Sequence, residues 1–267
     1  MDIIVRPLRF WHGLQGVLLS AIGITVLGFF VSMAGLFQAS NSILLLVAQS
    51  VTVALIFSGS VFAVYKFNSV SFTDSISFKN PNLLLMFIAV AGVIPAGILT
   101  DTLTFWLNKT YPWLFSFDNI SELADFLKNR SIEEYIILTV VLSIFPAVSE
   151  EFLFRGLVLG SFKRDMPIHF AVLYSSVLFG IIHFSWLQGV AAGFIGIYLA
   201  FMVATLKSII PAILAHFLNN LSWCIMARYG TPYNKELISH GYNSVIILIS
   251  LFIFIGAVFM LISRRKT

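Results

Sequence analysis

Charge is what this sequence lacks. Only 10% of its 267 residues are Asp, Glu, Lys or Arg, against 59% that are hydrophobic. A soluble domain carries about a quarter charged residues, so most of this chain faces lipid. There is one cysteine, Cys224, which excludes an intrachain disulfide. Basic runs interleaved with aromatics are missing, so nucleic acid is excluded as a partner, and the net charge of +4 reads as membrane topology. No short apolar core with a small-residue cleavage site follows the first residues, and no cleavable signal peptide is expected. Repeats and low-complexity tracts are also absent. The chain reads as one transmembrane domain, 1–267, with lipid as its surroundings.

What is present is long apolar runs. A span needs about 20 mostly apolar residues, and eight candidates meet or approach this. They run from Leu14 to Phe37, Ile43 to Tyr65, Leu83 to Leu103, Tyr135 to Ser161, Ile168 to Phe184, Leu187 to Leu206, Ile209 to Met226 and Val245 to Ser263. Lipid leaves backbone groups of an isolated span no partner but their own helix. The expected fold is therefore all-α, a polytopic membrane protein of about eight transmembrane helices. Most connections are short. The exception runs from about Asp101 to Glu134, and its aromatics predict a segment lying at the interface. Ser131 and Glu134 have capping-box spacing, which starts the fourth helix there. That helix, of about 30 residues and about 45 Å, must tilt, kink at Pro146 or protrude.

Lys and Arg set the orientation. With eight spans, Arg6, Arg9, Lys66, Lys79, Arg155, Lys163, Arg164, Lys207, Arg264, Arg265 and Lys266 fall on one side. Lys109, Lys128, Arg130, Arg228 and Lys235 fall on the other. The positive-inside rule then places both termini in the cytoplasm, with or without Arg155. A bacterial plasma membrane is the expected location.

Against this background Ser149-Glu150-Glu151-Phe152-Leu153-Phe154-Arg155-Gly156 is anomalous. An ionisable residue at a bilayer centre costs about 2.5–3.5 kcal/mol on insertion scales. Glu151 and Arg155 are four apart and share a helix face, so they form a structural ion pair. Glu150 is rotated about 100° from Glu151 and is partly free of that pair, which makes it the reactive group. Read blandly, all three would form a polar helix-packing cluster.

Two histidines also fall within spans. His183 lies late in the fifth, with Phe179 four residues earlier, so that ring packs beside the imidazole. His216 is followed by Asn220 at the same interval. His12, His169 and His240 sit near span ends and have no assigned role. At 1.5 Å per residue from the basic helix ends, Glu150, His183, His216 and Asn220 lie at depths of about 14–24 Å. They line one polar chamber if their helices are neighbours.

Burial moves a carboxylate's proton affinity toward neutral pH, the range a general base needs. Glu150 is read as that base, with a histidine helping to orient a water. A second histidine and an asparagine donate to a developing oxyanion. The set fits hydrolysis of a peptide bond. It equally suits one zinc ion held by Glu150, His183 and His216 with water as fourth ligand, and the sequence leaves both open.

Other intramembrane chemistries are missing their residues. No His precedes a Glu as HExxH requires, and the serine motif GxSG is absent. The six Asp, at 2, 74, 101, 118, 125 and 165, all read as lying in tails, connections or helix ends, so a pair of catalytic Asp within spans is not expected.

Glu150-Glu151-x-x-x-Arg155, Phe179-x-x-x-His183 and His216-x-x-x-Asn220, in this order within apolar helices, resemble the three signature motifs of the CPBP family. These are the CAAX-protease and bacteriocin-processing (Abi) intramembrane proteases. The resemblance runs from about Glu150 to Asn220, within a core of about 131–226. It implies an all-α membrane fold with a site open to the cytoplasmic side. It implies that Glu150 with His183 activates water, that His216 with Asn220 stabilises the oxyanion, and that Glu151 and Arg155 are structural. The implied substrate is a membrane-associated peptide or protein, either a prenylated CAAX protein or a bacterial peptide. The alternatives are a non-catalytic scaffold or bacteriocin self-immunity protein of the same fold, and a proton-relaying transporter. Against the transporter stand the lack of repeated halves and of a second acidic span.

Overall fold

The computed structural model describes residues 7–33, 42–71, 76–230 and 242–263. They form α1 (Phe10–Met33), α2 (Ile43–Asn68), α3 (Leu83–Ala91), α4 (Val93–Thr110), α5 (Asp118–Lys128) and α6 (Ile132–Glu151). A π-helical turn, Phe152–Val158, leads from α6 into α7 (Leu159–Asp165). There follow α8 (Ile168–Ile181), α9 (Trp186–Leu206), α10 (Ile210–Tyr229) and α11 (Ser244–Ser263). Among the described residues seven helical stretches are long and apolar enough to cross a membrane, and Ile168–Ile181 is a shorter apolar helix. The protein is an all-helical polytopic membrane protein. Phe29, Phe62, Phe87 and Phe252 stand exposed on its flanks, as a surface solvated by lipid requires.

The third span is longer than its apolar run. Gly92 separates α3 from α4, and α4 continues to Thr110. Pro95 has no N–H to give to the preceding turn, which loosens the junction. Tyr198 OH donates to Ala89 O there at 2.8 Å. Asp101 therefore lies in the interior of a spanning helix, which corrects its reading as a connection residue. The apolar run ends near Leu103 because polar side chains begin there, but the backbone hydrogen bonds continue.

The segment after α4 contains an amphipathic helix. In α5, Ala124 and Leu127 are buried against Tyr135, Leu138, Cys224 and Ala227 of α6 and α10, while Glu122, Asp125 and Lys128 lie on its polar face. Arg228 closes its C-terminus, donating to Leu127 O at 3.1 Å and Arg130 O at 3.0 Å, where the helix dipole favours a cation. The expected capping box starts α6: Ser131 Oγ accepts from Glu134 N, and Glu134 Oε2 accepts from Ser131 N.

The first arm of the α8–α9 hairpin is short. Fourteen residues of α8 reach about 21 Å, short of the about 30 Å hydrocarbon core. A Cβ on Gly180 would collide with Gly189 O, so two glycines let the arms touch through backbone. Phe184 takes a left-handed φ of 51° at the turn, and Ser185 caps α9 through Gln188 N. His183 thus sits in this turn, two residues past the end of α8, half-buried while Ile181, Phe184 and Trp186 around it are exposed. His12 lies in the first turn of α1, its Nδ1 accepting from Arg9 N. His169 begins α8. His240 lies outside the described residues.

Candidate active site

Two adjacent carboxylates end α6, and the helix rotates them into different surroundings. Glu151 is fully buried. Arg155 NH1 donates to its Oε1 at 2.7 Å across the start of the π-helical turn. Arg155 NH2 donates to Gly196 O of α9 at 3.0 Å. A Cβ at Gly196 would sit 3.3 Å from that guanidinium and 3.0 Å from Phe179 Cδ1, so glycine leaves room for both. The expected ion pair is present. It has a third member: His216 Nδ1 lies 2.8 Å from the same Glu151 oxygen. A carboxylate accepts, so His216 carries its proton on Nδ1 and turns Nε2 toward Glu150.

Glu150 is partly exposed, and its Oε2 stands 3.8 Å from His216 Nε2, outside hydrogen-bond range. His183 is oriented in the same manner as His216. Its Nδ1 lies 2.7 Å from Phe179 O, and a carbonyl only accepts, so Nε2 of the neutral ring keeps its lone pair.

Phe179 is the common neighbour. Its ring meets His183 edge-on at 5.1 Å and His216 at 5.9 Å between centroids. Its face carries the Arg155 guanidinium at 4.4 Å, a cation–π contact. One ring from α8 thus locates groups from the π-helical turn, the hairpin and α10.

Glu150, His183, His216 and Asn220 line one cavity of about 350 Å³. The tertiary structure therefore brings together all four residues that the spacing singled out. Gln188, Asp101 and Asn219 line it too and were not singled out. Asn219 Nδ2 donates to Asn220 Oδ1 at 3.5 Å, leaving the Asn220 amide N–H groups for another acceptor. Asp101 Oδ2 accepts from Tyr242 OH at 3.3 Å. A carboxylate eighteen residues into a spanning stretch is the signal that would have found Asp101.

The cavity leaves the Glu150 level toward Phe117, Ile120 and Leu123, at the end of the bundle that carries α5. Both α1 begins and α11 ends at the opposite end.

Among the described residues no three His, Cys, Asp or Glu side chains gather as ligands of one ion would. Glu150, His183 and His216 share a cavity without gathering into such a cluster, so the set as arranged does not fit a zinc site, and no step below passes through a metal.

Residues 132–222 match the model of the family described as type II CAAX prenyl endopeptidase Rce1-like. The matched segment runs from the start of α6 into α10 and holds every residue of the cluster. Over 95 residues the chain is 33% identical to the "Putative membrane peptidase YdiL" of Bacillus subtilis (strain 168), covering 36% of this chain and 39% of that protein. The chain thus matches about two-fifths of the length of this curated relative. No solved structure matches.

Proposed function

We propose, for a chain whose motif-bearing core belongs to the CPBP family of CAAX-protease-like membrane proteins, that it is an intramembrane endopeptidase using activated water. The observation that carries this is the shared cavity of Glu150, His183, His216 and Asn220. In it both imidazoles are fixed through Nδ1 and present Nε2.

Glu150 takes a proton from a water that His183 Nε2 orients as acceptor. The resulting hydroxide attacks the scissile carbonyl carbon. The oxyanion receives hydrogen bonds from Asn220 Nδ2 and, when His216 also carries a proton on Nε2, from that N–H, with Glu151 at 2.8 Å from Nδ1 and Glu150 at 3.8 Å from Nε2. Such donors, fixed before reaction, act most strongly where water is excluded. The C–N bond then breaks, and Glu150 returns its proton to the leaving amine. Glu151 and Arg155 are positioning residues.

The substrate class is a membrane-associated peptide or protein. The family description supports a prenylated CAAX terminus as one probe, and an unprenylated membrane peptide represents the other branch. The chain acts as a single transmembrane domain with its protease core at about 131–226, in a bacterial plasma membrane. The test uses full-length protein in lipid nanodiscs with quenched-fluorescence peptides of both kinds. Glu150→Gln and His183→Ala should abolish cleavage while the helical content stays unchanged. Cleavage at the unmodified rate by both variants overturns the reading.

A further inference from the structure

We propose that a second cavity, at the opposite end of the bundle, binds a phosphate group carried by an anionic phospholipid headgroup or by inorganic phosphate. This cavity has a volume of about 590 Å³ and is formed by the segment 76–79, α7, the start of α8 and the α9–α10 turn. Lys79, Lys163 and Lys207 line it, and no Asp or Glu does among the described residues. None of these lysines is in an ion pair with a described residue. Arg155 reaches the cavity floor, but its guanidinium is held by Glu151 and Gly196.

The positive-inside rule accounts for lysines at a cytoplasmic end of spans. On that account alone they extend separately into water. It does not explain why three converge on one concavity. Local features place two of them there. Ile209 N–H donates to Ser77 O at 2.9 Å, tying the segment that bears Lys79 to the turn that bears Lys207. Lys207 itself caps α9 in a left-handed conformation, φ 53°, a position where glycine is the usual and less strained occupant. In that conformation Lys207 lines the cavity.

The cavity's remaining walls suit a lipid. Leu159, Ile168, Val203 and Ile209 supply apolar surface for a glycerol unit and the first methylenes, below ammonium groups at headgroup level. Basic pockets between helices at a membrane face are suited to anionic headgroups, and ammonium–phosphate contacts are charge-assisted. This inference stands apart from the proteolytic reading, since none of the three lysines belongs to the cluster around Glu150.

The test uses the full-length protein in phosphatidylcholine nanodiscs, with phosphatidylglycerol added in steps, or with inorganic phosphate instead. Melting midpoint and lipid retained in native mass spectra are the readouts. Phosphatidylglycerol should raise the midpoint and be retained. The triple variant Lys79→Gln/Lys163→Gln/Lys207→Gln should lose at least tenfold of that retention while melting normally in pure phosphatidylcholine. Lys207→Gly should melt no lower in phosphatidylcholine yet retain less lipid, which separates binding from folding. A lysine-dependent response to phosphate alone would identify the free anion as the source. Equal retention by the triple variant, equal loss from Lys109→Gln/Lys128→Gln at the far end, or no response in either arm overturns the proposal.

Discussion

His216 Nδ1 lies 2.8 Å from Glu151 Oε1, the oxygen that also accepts Arg155 NH1 at 2.7 Å. One buried carboxylate oxygen thus couples the ion pair that secures the end of α6 to a histidine of α10. The companion oxygen, Oε2, has no hydrogen-bond partner among the described residues. All the directional interaction of Glu151 is concentrated on the two groups it holds.

Glu151→Gln should therefore damage stability and reaction together. Removing one member of a buried charge pair costs about 3–5 kcal/mol. An outer partner that orients a working histidine is worth about 10–100-fold in activity. Thermal melting in nanodiscs and cleavage of quenched-fluorescence peptides measure the two effects. A variant with unchanged melting would show that Glu151 is not the shared anchor.

Glu150→Gln should separate them. Glu150 makes no hydrogen bond with a described residue, its nearest charged or polar approach being 3.8 Å to His216, so stability should change by less than about 0.5 kcal/mol. Loss of a general base should lower kcat by about 100- to 10,000-fold. A melting point that falls as far as that of Glu151→Gln would assign Glu150 to structure.

Phe179→Ala removes the ring that contacts Arg155, His183 and His216. Truncation of a buried Phe costs about 3–5 kcal/mol, and both imidazoles lose their lateral support. Phe179→Leu should recover most of the stability but not the cation–π contact. Comparing kcat for the two variants tests whether the ring does more than fill space.

Gly180→Val should prevent the close approach of α8 and α9, because the new side chain meets Gly189 O. His183 would then leave its level beside Phe179. Expected outcomes are poor yield and loss of cleavage. A well-folded, active Gly180→Val protein would show that the hairpin tolerates separation.

The orientation has its own test. The Lys and Arg distribution predicts that α1 begins and α11 ends on the cytoplasmic side, which puts α5 on the outer side. Single cysteines at Lys128→Cys and Lys163→Cys, in a Cys224→Ser background, should be labelled from outside and from inside respectively by an impermeant maleimide. The reverse pattern would put α5 on the cytoplasmic side.

Much of this was legible in the sequence because lipid imposes a simple constraint. Long apolar runs can only be helices, and the interval of four places partners side by side in Glu151–Arg155 and Phe179–His183. The capping box at Ser131 was legible for the same local reason. Asp101 was misplaced because hydropathy marks where apolar side chains stop, whereas α4 continues on backbone hydrogen bonds to Thr110. His183 was assigned to a span, yet α8 ends at Ile181. The Gly180–Gly189 approach that ends the hairpin early depends on a neighbour, and periodicity carries no record of neighbours.

The sequence by itself determined an all-helical membrane protein and the residue pairs within each helix, because both depend on composition and on the helical repeat. Tertiary structure alone decided that Glu151 also holds His216 and that Phe179 meets three charged or polar groups. These are contacts between helices far apart in the chain. They depend on which faces pack together, a choice made by side-chain volume and by backbone approach at glycines.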